Sequence, residues 1–215
     1  MGITILMQQL NDELSLIVNQ VNKVDEATFF RKKDNEKWSI AENLQHLSLS
    51  LLPINNLFKQ PELMLERWGY SNRKSRDFNT FLEDYKNAVA NADWKAFPPF
   101  IPKSANETDD YLQQHATTTQ SKLNEFYQFT GDQIKVLREK MQLESNATKS
   151  DVLNLFLSQY QTFFLLSEQL TEIQLDDCQI PLPYAGLITC KEMMYFTYNH
   201  TKVHRLAIDK LEFQS

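Results

Sequence analysis

His200 and His204 stand one helical turn apart in the run Asn199-His-Thr-Lys-Val-His-Arg205, a spacing at which two imidazoles on one helix reach a single divalent cation. At roughly 100° per residue, Met193, Phe196, Val203, Ala207 and Leu211 share one apolar arc with both histidines, and Lys202, Arg205 and Asp209 lie opposite. Both rings are therefore expected to face the core. Burying an imidazole without partners costs free energy. A metal shared by two neutral rings would meet that need, and so would hydrogen bonds to tyrosines or carbonyls; the spacing leaves both open. Thr201 follows His200 where a zincin carries its catalytic Glu, so this is not the metalloprotease motif.

A metal held this way needs a third ligand, and two histidines remain. His46 falls on a polar arc with Glu42, Asn43 and Ser50, away from the Leu44 and Leu47 stripe, and periodicity alone reads it as solvent-exposed. A polar arc also lines a wet cleft between helices, as an open metal site requires. His115 lies in a polar connection and receives no role. Glu42 has the position of an outer partner or base, but a capping box with Ser39 accounts for it fully. Cys190, at the first turn of the last helix, is expected to have a lowered thiol pKa, with no base to use it. Trp38 and Tyr184 are read as a staple and a turn anchor.

The elements that must position these residues are helical. Ile3, Leu6, Leu10, Leu14, Ile17, Val21 and Val24 recur at steps of three and four, predicting a first helix over 3–24. A second starts at the Ser39/Glu42 box, continues through Leu51 and ends near Pro61, with Pro53 as a point of weakness. The stretch 62–110 is irregular, with a basic patch at Arg73, Lys74 and Arg76 read as solvated surface and a short helix over 79–91. Periodicity returns over 117–142. The helix over 152–170 is apolar on nearly every side, which suits the centre of a bundle or a second face buried in a homodimer. A rigid turn at Pro181-Leu-Pro-Tyr-Ala-Gly186 precedes the last helix, capped by Thr189 and Glu192. No strand of convincing length is expected, so the chain reads as one all-α domain over 1–215.

Composition narrows the partners. With only 4 Gly and 7 Pro, turn-rich β-sandwiches and barrels are hard to build. A formal charge of −6 argues against a broad phosphate-binding face, so no nucleic-acid partner is expected. No apolar run is long enough to span a bilayer, and no secretory signal is evident. Two cysteines without Cys-x-x-Cys spacing form no disulfide framework. A cytoplasmic protein is the expectation.

Two motifs resemble one family. Trp38-Ser-Ile-Ala-Glu-Asn-Leu-Gln-His46-Leu is similar to the second-helix signature of DinB-like (DNA-damage-inducible) proteins and the related bacillithiol transferases. Pro181-x-Pro-x-x-Gly186, followed by Thr189, Glu192, His200 and His204, resembles their last helix. The resemblance implies an up-down four-helix bundle with extra helices between helices 2 and 3, and one divalent metal, zinc or nickel, held by a histidine triad. Matched residue by residue, the ligands are His46, His200 and His204. The implied activity is thiol S-transfer or hydrolysis on a small-molecule thiol or electrophile; the alternative is a non-catalytic, stress-associated metal-binding or helical interaction protein. No catalytic or substrate-binding residue is assigned. Ala207 stands where members often carry Gln.

Overall fold

Leu6, Leu10, Leu14, Ile17 and Val21 are all buried along α1, Ile3–Lys23, as their spacing requires. The computed structural model describes residues 2–33, 37–90, 147–182 and 185–211, with positions 100, 102, 136, 137 and 139–141. After α1 come a single-turn α2, Glu26–Phe30, and the long α3, Ile40–Phe58. The capping box opens α3 as expected: the Glu42 amide donates to Ser39 Oγ at 3.1 Å and the Ser39 amide to Glu42 Oε2 at 2.8 Å. Pro53 lies inside α3 without ending it.

The stretch read as irregular holds two helices, α4 over Pro61–Trp68 and α5 over Phe78–Ala90. Most of the periodic run 117–142, like His115 and Tyr184, lies outside the described residues; Leu137 and Met141 are buried. α6, Lys149–Gln169, begins at a further capping box, in which Thr148 accepts from the Asp151 amide. The short α7, Glu172–Asp177, leads to β1, Gln179–Leu182, which pairs antiparallel with β2, Gly186–Thr189. α8, Cys190–Asp209, completes the described chain.

The hairpin differs from the expectation of a turn without strands. Four residues a side give too little alternation to register as a strand pattern. Gly186 takes φ +71 at the turn, a left-handed conformation that favours glycine. The molecule is nevertheless dominated by helices. α3 packs on α6, α1 on α8, and α8 on α3 and α5. Phe58 and Phe163 stack at 5.7 Å between α3 and α6. Tyr160 of α6 reaches Thr201 of α8 at 2.7 Å; because the Thr201 hydroxyl already donates to the Thr197 carbonyl, Tyr160 is the donor. Among the described residues, no helix is long and apolar enough to cross a membrane.

Two sets of arginines are engaged by carboxylates of other elements. Arg205, on the side opposite the apolar arc, ion-pairs with Glu13 of α1 at 2.8 Å and with Asp209. The basic patch before α5 is not a free surface either. Arg73 forks onto both oxygens of Glu192 at 2.6 and 2.7 Å, and Arg76 gives the same carboxylate its backbone amide at 2.8 Å and its Nε at 2.9 Å. Glu192 is fully buried. It thus caps α8 and clamps the segment that leads into α5.

Candidate metal centre

His46 projects from the middle of α3, and His200 and His204 from the second half of α8, where these helices meet. The three rings offer ligand nitrogens that all lie within 4.8 Å of one another. Ring centroids are 5.0 Å apart for His46–His200 and 4.7 Å for each of the other pairs. His46 is buried at 4 % exposure, so the reading of an exposed side chain from its polar arc is corrected. The arc is covered by α8, and covering by another element is invisible to a one-helix period.

Hydrogen bonds decide which nitrogen of a neutral ring carries the proton. His46 Nδ1 lies 2.6 Å from the Phe100 carbonyl, and an oxygen of that kind only accepts, so Nδ1 carries the proton. Asn43 Nδ2 donates to the Ser39 carbonyl at 2.8 Å, which orients the amide and leaves Oδ1 to accept from His204 Nδ1 at 2.8 Å. Both rings, when neutral, therefore carry their lone pair on Nε2. Backbone and side-chain acceptors behind the δ nitrogens are the usual outer support of metal-binding histidines.

The remaining contact is the informative one. His46 Nε2 and His200 Nε2 face each other at 3.0 Å. Two lone pairs at that distance repel, so the pair needs either a proton between them or a cation shared by both. Two nitrogens across a tetrahedral zinc site stand about 3.3 Å apart, given bonds of 2.0–2.1 Å. The donor set, its spacing and its outer partners thus fit a divalent ion.

Burial first, and the charge of His46 second, push His200 well below the ordinary imidazole range; burial and the other two rings do the same to His204. Both are held neutral, the form that binds metals. Because the folded pKa is depressed, the folded chain binds fewer protons than the unfolded one once the pH drops below about 6.5. The metal-free protein is expected to lose thermal stability on acidification from pH 7 to pH 5, and His204→Gln to flatten that slope; melting curves across this range check it.

Two neighbours were underestimated in sequence. Trp38 stacks on His204, with planes 10° apart and centroids 5.8 Å apart, and tilts against His46 at 4.8 Å, so it buttresses the triad rather than merely stapling a helix. Asn43 lies one turn before His46 on the same polar arc, the signal that could have marked it as an outer partner. Phe100 carried no sequence signal. Glu42 is occupied by its cap and by Lys32 at 2.7 Å.

Cys190 is no part of this centre. Its hydrogen bond with Cys178 and its burial push its thiol well above the usual range, correcting the expected depression. The contact with Cys178 and burial together outweigh the helix N-terminus there.

The triad opens on a cavity of about 830 Å³. Tyr85 and Val89 of α5 face it from one side and Val203 and Ala207 of α8 from another. The Glu192 clamp, by holding the approach to α5, indirectly positions this wall. Comparisons of the chain with family models, with curated proteins and with solved structures find no match. The resemblance to DinB-like proteins rests on the sequence motifs alone.

Proposed function

We propose that the protein binds one divalent metal, zinc or nickel, through His46, His200 and His204, and acts on a small molecule in the adjoining cavity as a thiol S-transferase or hydrolase of DinB-like type. The observation that carries this reading is the 3.0 Å approach of His46 Nε2 to His200 Nε2, in a cluster where Nδ1 of His46 and Nδ1 of His204 are each committed to an acceptor. In the same reading the long helices α1, α3, α6 and α8 form an up-down bundle, with α4 and α5 as the extra helices between its second and third members.

Three protein ligands leave coordination positions for substrate. A metal there would supply Lewis acidity, stabilising the deprotonated form of a thiol or water at neutral pH. The chain's own contribution is orientation and exclusion of water. Asn43 and the Phe100 carbonyl keep the two imidazoles in the tautomer that binds, and Trp38 and Phe196, the latter stacked on His200 at 4.9 Å, restrict their rotation.

The direct test is a melting curve with and without metal. Zinc at a hundred times its Kd adds about 2.7 kcal/mol of stability to a one-site protein. For a chain of this length that is a rise in Tm of about 5–10 °C. Protein prepared without a nickel column should show it; no rise with either zinc or nickel would overturn the assignment. Thiol conjugation to an electrophile, compared with and without metal, then separates an enzyme from a metal-binding protein without catalysis.

A further inference from the structure

The cavity over the triad has a charge pattern of its own. Lys37, Lys86 and Lys210 line it from three separate parts of the chain, before α3, within α5 and just past α8. Among the described residues no Asp or Glu lines it. This contrasts with a chain whose formal charge is −6. Between these cations the walls are apolar and aromatic: Trp38, Tyr85, Val89, Val203 and Leu211. Lys86 and Lys210 beside an apolar cleft raise the local concentration of anions and leave them a hydrophobic surface to cover.

We infer that the cavity takes an amphipathic organic anion, its charged end at Lys86 and Lys210 and its apolar body along the wall leading to the histidines. This deepens the proposed metal-dependent function by naming the class of small molecule, and as a substrate assignment it rests on that reading. The helix sets the size. Lys210 lies six positions beyond His204, and its backbone is still helical at φ −78, ψ −8. At 1.5 Å per residue the separation along the axis is roughly 9 Å, which suits a medium-length chain or a single substituted ring. A fully hydrophilic dianion would leave Val89, Val203 and Leu211 wet, and a neutral hydrophobe would gain nothing from Lys86 and Lys210.

Octanoate, octanamide and octylamine share a body and differ in charge, so calorimetric titration of the full chain with each at low ionic strength separates these cases. Octanoate should bind at least tenfold more tightly than octanamide, and octylamine more weakly than either. The K86E/K210E double variant, both positions being exposed, should weaken octanoate at least tenfold while keeping its circular dichroism and melting curve. Salt at several hundred millimolar should narrow the preference. Each titration is run on metal-free and on zinc-loaded protein, with zinc content measured on the same samples. Equal binding of octanoate and octanamide, or a preference that survives the double variant, overturns the inference. A preference seen only with zinc and insensitive to the lysines also overturns it, since the metal alone would then hold the anion. A chain that takes up no zinc defeats the metal reading instead, and the metal-free titrations still decide whether the lysines select an anion.

Discussion

His200→Ala is expected to weaken zinc or nickel binding about 100-fold or more, enough to reduce the bound metal from about one equivalent to almost none after dialysis. The binding free energy of a zinc site, about 10–16 kcal/mol, is shared among its ligands, so one imidazole accounts for about 3 kcal/mol, or two decades in Kd. His200 and His46 share the closest approach in the cluster, Nε2 to Nε2 at 3.0 Å. The same substitution should cost the metal-free protein little stability. It removes a ring held neutral by burial and by the neighbouring His46, and it enlarges a cleft that is already open rather than creating a sealed void. Val203→Ala, one turn along the same wall and 52 % exposed, should leave metal content unchanged. Metal analysis of the three proteins checks the set, and a His200→Ala protein that retains its metal would remove the site from consideration.

Glu192→Ala is the substitution expected to cost most stability. The carboxylate is fully buried and receives Arg73 on both oxygens, Arg76 through its amide, Nε and Nη2, and the Thr189 amide at 3.1 Å. Removing one partner of a buried ion pair typically costs about 3–5 kcal/mol. Arg73 and Arg76 keep 36 % and 24 % of their side chains exposed and recover part of their hydration, which points to the lower end, about 3 kcal/mol. For a chain of this size that lowers Tm by about 6–12 °C. Glu192→Gln, which keeps the shape and some hydrogen bonds, should fall between. Burial raises the pKa of this carboxyl, but the two guanidiniums and the amides win and hold it down at about 2. Its contribution is therefore complete above the ordinary carboxyl pKa of about 4.5 and is lost as pH falls from there toward 2. Wild type should lose stability across that window, and Glu192→Ala should lose correspondingly less. A variant that melts within about 2 °C of wild type would show that the clamp is neutral.

Loss of the clamp should also reach the cavity. Arg76 is two residues ahead of α5 and spans Glu192 and Asp84, with its guanidinium 5.1 Å from the centre of the Phe81 ring. α5 carries Tyr85, Lys86 and Val89 into the cavity wall. A single buried carboxylate at the start of α8 thus supports a surface that faces the histidines about two to three turns further along the same helix.

Local periodicity and capping chemistry account for much of this. The stripe of α1, the Ser39/Glu42 and Thr189/Glu192 boxes, the helix over 78–90 and the common orientation of His200 and His204 are properties of segments that satisfy their own backbone, so they can be read from neighbours in the chain. The His200/His204 pair needs nothing beyond a helix. The third member does. His46 shares a polar arc with Asn43 and Ser50, and a polar arc reads the same whether water or another helix covers it.

Tertiary packing decided what covers each polar face. α8 lies against α3, so His46 is buried beside the other two rings and Asn43 becomes the acceptor behind His204. The approach to α5 folds back on α8, so Arg73 and Arg76 meet an internal carboxylate instead of solvent. Helix periods report which residues share a side. Only long-range contacts, made between positions more than a hundred residues apart, determine what environment that side meets, and with it the charge state and the chemistry of the groups it carries.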